Sequence, residues 1–459
     1  MRAELVRSAV LEIYEQVRRE GARADQAMQR VIRREKQLRS VERRAVADAV
    51  YGLLRLQGKV DHLLGRALGA RKLSLDQLAT PTQHLLRYAA YLVVSGEQKA
   101  ESAGNLAGPE VAPYAWALQL VASPQQLSSE SAPSDPMDAL AAETSLPRWL
   151  AALWARQLGE PETRALAAAL NQRAPLTVRT NELKGPREAL EKALLAEDAK
   201  VARTPFSQLG LTFTGRTNVF ALKAFKAGLF EVQDEGSQLI AEACVARPGQ
   251  LIVDACAGAG GKTLALAAQM RNKGRLVACD RDGRRLIELK QRARRASVHN
   301  YESRAVPEGP AGEARLDDLR GQANAVLIDA PCSGLGALRR NPDARWRLDE
   351  AEIDLFPPRQ REILERYSAL VKSGGLLIYA TCSINQRENE DVRKSFLDAH
   401  AEFAPVVPAE LLGAELCAAL AKAGAAEGLP ALGAREYDVQ LAPQRHGTDG
   451  FYIAGMRRR

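Results

Sequence analysis

The chain has 459 residues, 46% apolar and 26% charged, with a formal charge of +8. That length calls for two or three globular domains, and no apolar run approaches the ~18–20 residues that span a bilayer. Six scattered cysteines without a CxxC pair and five histidines without ligand spacing argue against structural zinc and a disulfide framework. Acids at Glu4 and Glu12 interrupt the apolar segment a signal peptide needs, so a cytoplasmic protein is expected.

Residues 1–122 read as an all-α bundle. Leu5, Ala9, Ile13 and Val17 form one stripe at helical spacing, and Val46, Val50, Leu53, Leu54 and Val60 form another. Residues 1–72 hold 17 Lys and Arg against 9 Asp and Glu, an excess equal to the whole net charge. Positive charge so concentrated favours a polyanionic partner, nucleic acid first. Residues 123–145, Ser/Pro/Ala-rich and patternless, are expected to be a linker.

Residues 146–235 predict a small α+β subdomain. A helix comes first, then strands in "LTVRTNE", "GLTFTG" and "GLFEVQDE" around a helix in "PREALEKALLAE". From Gly236 to the end, strands alternate with helices. Strands are expected at 250–256, 275–280, 324–330, 376–382 and 450–456, with a helix over 350–371. This alternation implies a parallel, doubly wound α/β sheet, Rossmann-like, binding its ligands at the C-terminal ends of the strands. Asp254, Asp280, Asp329, Cys332 and Cys382 all fall at such ends.

The turn "DACAGAGGKT" (Asp254–Thr263) fits neither common phosphate motif. GxxxxGK[ST] would need glycine where Cys256 stands, and GxGxxG would need it at Thr263. Small residues that let the backbone approach a nucleoside without a pyrophosphate fit better. Asp280 ends the next strand, where a carboxylate bonds ribose hydroxyls. S-adenosylmethionine has that chemistry.

In "LIDAPCSGLGALRRNPDARWR" and "IYATCSINQRENED", Cys332 and Cys382 each follow an apolar strand. In the usual order of nucleoside-methyltransferase sheets the two strands are neighbours, so both thiols would face one pocket. Methylation of pyrimidine C5 uses this pairing. A thiolate adding to C6 breaks aromaticity and makes C5 nucleophilic, and a base then removes the C5 proton. Asp329 is placed to act as an acid near N3. Chemistry alone does not order the two cysteines, because DNA cytosine methyltransferases use the Pro-Cys cysteine as nucleophile.

These three motifs, in this order and spacing, resemble the NOP2/Sun family of RNA 5-cytosine methyltransferases. The strong match covers roughly 228–392. With the helical N-terminal part, the layout resembles the bacterial RsmB branch, which acts on 16S ribosomal RNA. The resemblance implies a NusB-like RNA-binding bundle (1–122), an RRM-like α+β subdomain (146–235) and a class I methyltransferase domain (236–459). It implies Cys382 as nucleophile, Cys332 as the residue that assists breakdown of the adduct, and Asp329 and Lys262 beside them. Cys256, Ala257, Gly258, Ala259, Gly260, Gly261 and Lys262 would hold the methionine and adenosine parts of S-adenosylmethionine, and Asp280 its ribose. The family loop usually reads Ala-Ala-Pro-Gly-Gly-Lys; Gly258 and Ala259 replace Ala and Pro here. The family also carries an acid after the third strand, near the adenine amine, for which Glu308 is expected, with Asp317 as the alternative.

Arg339, Arg340, Arg345, Trp346 and Arg347 follow the Pro-Cys motif and are expected to clamp RNA phosphates around a turned-out base. A monomer with an RNA substrate is expected. Transfer RNA and large-subunit RNA are alternative substrates, and a non-catalytic RNA-binding assembly or antitermination factor is the alternative from another class. A nicotinamide-dependent dehydrogenase is disfavoured by the broken GxGxxG.

Overall fold

The computed structural model describes residues 2–127 and 133–459, and the chain falls into two compact units. No helix among the described residues is long and apolar enough to cross a membrane.

The first unit holds residues 1–173 and 338–350. It is helical, built around the 30-residue helix Ser40–Gly69, whose Val46, Val50, Leu53, Leu54, Val60, Leu64 and Leu68 are buried. The first helix, Ala3–Arg19, buries Val6, Ala9, Val10, Ile13, Tyr14 and Val17. The predicted stripe is right in period, but its buried face is centred on Val6 and Val10 rather than on Leu5. The expected linker 123–145 needs correcting where it is described. Pro136–Thr144 is a helix with Asp135 as N-cap, its Oδ1 accepting from the N–H groups of Met137 (2.7 Å) and Asp138 (3.2 Å). An acidic cap followed by proline at the first helical position is a start signal that the surrounding serines and prolines obscure. The rest of that stretch, 128–132, lies outside the described residues. Helices Arg148–Leu158 and Glu160–Leu170, expected in the α+β subdomain from 146, group instead with this unit.

The second unit holds residues 174–337 and 351–459. Among the described residues its strands make two sheets. The smaller is antiparallel in the order β2-β3-β1-β4, with β1 Thr177–Thr180, β2 Val201–Arg203, β3 Gly210–Phe213 and β4 Phe230–Val232. It packs Val178, Leu211, Phe213 and Phe230 against Leu190 and Leu194 of the helix Arg187–Leu195.

The larger sheet contains β5 Leu251–Asp254, β6 Arg275–Asp280, β7 Tyr301–Ala305, β8 Ala323–Asp329 and β9 Val371–Thr381. These run parallel in the order β7-β6-β5-β8-β9. The centres of β5, β6, β8 and β9 are buried on both faces, which is why they read as continuous apolar runs, whereas the edge strand β7 is only partly buried and carries no such run. The sheet is mixed rather than wholly parallel. β13 Phe451–Arg458 lies antiparallel to β9 and is followed outward by β12 Val439–Leu441 and β11 Gly433–Ala434, while β10 Phe403–Val406 also pairs with β13. A period-two pattern identifies a strand but carries no direction, and β10 to β12 are too short to show a pattern at all. The predicted helix over 350–371 is divided into Glu350–Ile353 and Phe356–Ser368, and Val371 already belongs to β9. The chain leaves β5 toward β6 and β7, then returns to β8 on the other side of β5. That reversal opens a crevice at the carboxyl ends of β5 and β8.

Candidate active site

The strand ends of β6, β5, β8 and β9 lie side by side and carry the chemistry. At β5, the loop runs from Asp254 into helix Gly261–Gln269. Gly258 and Gly260 have φ of 55° and 85°, a region that disfavours side chains. A Cβ on Gly260 would lie 2.1 Å from the Leu289 side chain, so this position has no room for one, whereas space is open at Gly258. The Gly258 N–H donates to Asp280 Oδ2 (2.8 Å), and the Asp282 N–H to Asp280 Oδ1 (2.7 Å), so Asp280 ties the loop to the end of β6. Asp254 is buried; its Oδ2 accepts from Thr263 Oγ1 (2.7 Å), and its Oδ1 has no partner. Burial pushes the Asp254 carboxyl up to about 7. Burial, then the carboxylates of Asp329, Asp254 and Asp280, push the Cys256 thiol well up. An acid-rimmed loop with an orphaned carboxylate oxygen and open space at Gly258 suits a ligand that is cationic at its centre and carries a ribose. S-adenosylmethionine is such a ligand.

Two arginines that sequence reasoning missed brace this loop from outside. Arg179 of β1, buried, donates to the Gly261 carbonyl (3.0 Å) and to Gln233 Oε1 (2.6 Å), and burial lowers its guanidinium to about 10. Arg292 donates to the Ala259 carbonyl (3.1 Å) and, with Arg295, to the buried carboxylate of Glu231. Nothing in the local sequence distinguishes them from surface arginines.

Lys262 Nζ lies 2.6 Å from Asp329 Oδ2, joining the β5 loop to the end of β8. Beyond Asp329 the ladder continues for one bond, Ala330 N–H to the Ala380 carbonyl (2.8 Å). The chain then presents Cys332, with Cys382 beside it at the end of β9; the two sulfurs are 3.3 Å apart. Both are half-buried, unlike Cys244 and Cys279, which are packed inside. The Cys332 thiol is pushed well up, first by its hydrogen bond to Cys382, then by burial and by the negative charge of Cys382 and Glu388. The serines after each cysteine, Ser333 and Ser383, both bond the buried carboxylate of Glu388. A polar run on the sequence gave no sign that Glu388 would be interior.

Glu308 lies after β7 as expected, but it is exposed, and its Oε1 accepts from Arg281 (2.7 Å) and Arg359 (3.4 Å). Asp317 pairs with Arg320 (3.1 Å). Among the expected RNA contacts, Arg345 and Trp346 require correction. Arg345 is wholly buried in the helical unit, donating to the carbonyls of Ser145 (3.2 Å) and Leu170 (3.4 Å) and to Asn171 Oδ1 (2.7 Å). Burial lowers it to about 9. Trp346 Nε1 donates to the Leu54 carbonyl (2.7 Å), and its ring packs on the helical core. A guanidinium buried against interior acceptors does not reach a phosphate. Arg347 bonds Asp343 (2.9 Å), Arg339 is buried and Arg340 is half-buried.

Residues 243–457 match the family model for the 16S rRNA methyltransferase RsmB/F, and residues 146–220 match the ferredoxin-like domain of RsmF/B-like methyltransferases. That second match begins at 146, although the helices 148–170 pack with the helical unit. A Synechocystis protein named "Probable ribosomal RNA small subunit methyltransferase B" is 29% identical over 97% of this chain and 98% of its own. A Bacillus subtilis protein of the same name is 30% identical over 71% and 69%. The crystal structure of PH0851 matches with a TM-score of 0.76 and 26% identity, covering 100% of this chain and 99% of that one. With the glycine loop, the Lys262–Asp329 pair and the two strand-end thiols in place, the chain belongs to the RsmB/F family of S-adenosylmethionine-dependent methyltransferases.

Proposed function

We propose that this protein methylates C5 of a cytosine in 16S ribosomal RNA through a covalent adduct on Cys382. The observation that carries the reading is the pair of sulfurs 3.3 Å apart at the ends of β8 and β9, beside the Lys262–Asp329 pair. The relatives named for the ribosomal small subunit support that RNA as substrate.

Bound S-adenosylmethionine supplies an electrophilic methyl group. Cys382, as thiolate, adds to C6 of the target base, and C5 gains enamine character. Lys262, paired with Asp329, is the cation of this site. Asp329 stands where a proton can be shared with N3 during addition. Once C5 is methylated, its proton must leave before the C6–S bond can break, and Cys332 assists this elimination. The base is reached by turning it out of an unpaired or splayed RNA segment. Basic helices in residues 1–72 and the half-buried Arg340 add phosphate-driven, salt-sensitive affinity. Asp280 would hold the ribose of the cofactor, Cys256 to Lys262 its methionine and adenosine parts, and Glu308 its adenine amine.

Cys332→Ser is expected to accumulate a covalent protein–RNA adduct, and Cys382→Ser to give neither adduct nor methylated product. An adduct with Cys382→Ser instead would reverse the two roles. Nucleoside mass spectrometry after incubation with 16S RNA, small subunits, transfer RNA and 23S RNA identifies the substrate. No methyl transfer to any of them would leave an RNA-binding assembly factor as the better reading.

A further inference from the structure

Glu388 has no part in the chemistry above, yet its surroundings are unusual. Its carboxylate is 0% exposed, and among the described residues it accepts five hydrogen bonds, all from neutral donors. Oε1 accepts from the Ser333 N–H (2.7 Å) and Gln360 Nε2 (3.3 Å); Oε2 accepts from Ser333 Oγ (2.6 Å), Ser383 Oγ (2.7 Å) and Asn385 Nδ2 (3.4 Å). A buried anion without a cationic partner is unfavourable unless its lone pairs are satisfied. Here they are satisfied by the two residues that directly follow the cysteines. Ser333 and Ser383 are 50 positions apart in the chain, and their hydroxyls lie 3.2 Å from each other.

The two loops need such a tie, because both cysteines sit beyond the regular sheet ladder. Glu388 is itself fixed: Tyr379 OH, on β9, donates to its carbonyl (2.5 Å). Next to it, Asn389 accepts from Thr381 Oγ1 (2.6 Å) and donates to the Ser383 carbonyl (3.0 Å). From the other side the Gly336 N–H donates to the Cys382 carbonyl (2.9 Å), at a point where a Cβ on Gly336 would fall 2.0 Å from the Gly450 carbonyl oxygen. The Tyr379 and Asn389 bonds fix Glu388 within the Cys382 segment, and the Gly336 bond ties the Cys332 segment to it.

We propose that Glu388 is a positioning residue that holds Cys332 and Cys382 within one substrate's reach by bonding both adjacent serines. The inference rests on the reading of these cysteines as the reacting pair.

Glu388→Ala is expected to lower kcat about 100-fold, the scale of a misplaced reacting group, with the S-adenosylmethionine KM within about two-fold of wild type. Glu388→Gln should recover at least about a tenth of wild-type kcat, since its carbonyl can accept the Ser333 N–H and its amide can donate to both hydroxyls. Ser333→Ala with Ser383→Ala removes both hydroxyl bonds and leaves the carboxylate and its Ser333 N–H bond in place, so it serves if Glu388→Ala does not fold; a loss of kcat in the same direction, about 10-fold, is expected. The spacing is read without RNA by phenylarsine oxide, which needs both sulfurs on one arsenic. Wild type should bind one equivalent, and Glu388→Ala at least roughly 10-fold more weakly. Turnover of Glu388→Ala within about three-fold of wild type, or a loss carried by cofactor KM, overturns the proposal. Unchanged arsenic bridging, or a glutamine variant as inactive as alanine, overturns it equally. Should wild type methylate an atom other than cytosine C5, the arsenic measurement still decides the spacing, so the two failures stay distinct.

Discussion

At the ends of β5 and β6, backbone carbonyls of the cofactor loop are held from outside by arginines, Arg292 on Ala259 and Arg179 on Gly261. At the ends of β8 and β9, the cysteine loops are held from beneath by one carboxylate and its neutral donors. The materials suit the tasks. A loop that wraps a nucleoside must keep its shape, and guanidinium groups fix carbonyls rigidly while Glu231 balances their charge. A pair of thiols must differ in protonation, and an arginine beside both would favour thiolate on either. Lys262 belongs to the cofactor side but pairs with Asp329 on the thiol side, so it is the hinge of the comparison.

The largest effect is therefore expected at Lys262. Lys262→Met leaves Asp329 without its partner and removes the cation near Cys382, and should cost about 10²–10³-fold in kcat, the scale of a lost electrostatic stabiliser. A variant that forms the RNA adduct at the wild-type rate would show that the cation serves only the cofactor. The arginine braces should give the opposite signature to Glu388. Arg179→Met or Arg292→Met is expected to raise the cofactor KM about 10-fold while kcat stays within about two-fold. Steady-state kinetics at saturating RNA checks this, and a fall in kcat alone would erase the distinction between the halves.

How much of this was legible depended on range in sequence. Strands β5, β6, β8 and β9 announce themselves as apolar runs because they are buried on both faces, and each motif sits at a strand end that a local pattern can locate. Cys332 and Cys382 were thus readable as a pair once their strands were neighbours. Glu388 was not, because its burial depends on two serines 50 residues apart. Arg345 misled for the same reason: "RRNPDARWR" reads as a basic loop suited to clamping phosphates, but its acceptors come from Ser145, Leu170 and Asn171. The direction of β13 depends on its pairing with β9, and the helix Pro136–Thr144 on apolar partners elsewhere in its unit.

A smaller effect concerns pH. The folded Asp254 carboxyl, at about 7, lies above its unfolded range. Between the two values the folded state binds more protons, so stability falls as pH rises from about 4 to about 7 and is flat above. Asp254→Asn keeps an acceptor for Thr263 Oγ1 and removes the titration. Thermal unfolding at pH 8 should show Asp254→Asn more stable than wild type, and the difference should shrink toward pH 5. A constant difference across that range would mean that Asp254 does not titrate there.

The smallest effect is expected at Glu308, on the rim of the cofactor half. Its carboxylate is exposed and held low by Arg281, first through a hydrogen bond and then through charge. Exposed pairs of this kind add little to stability, so Glu308→Ala should leave the melting temperature unchanged. If the side chain also receives the adenine amine, the cofactor KM should rise about 5-fold, the worth of one hydrogen bond, with kcat unaffected. Glu308→Gln separates the two contributions, since its carbonyl still accepts an amine but no longer attracts Arg281. A KM near wild type for Gln and raised for Ala assigns the adenine contact to Glu308. Equal KM values for wild type, Ala and Gln would leave the acid with a purely local ion pair and move the adenine contact elsewhere along the β7 edge.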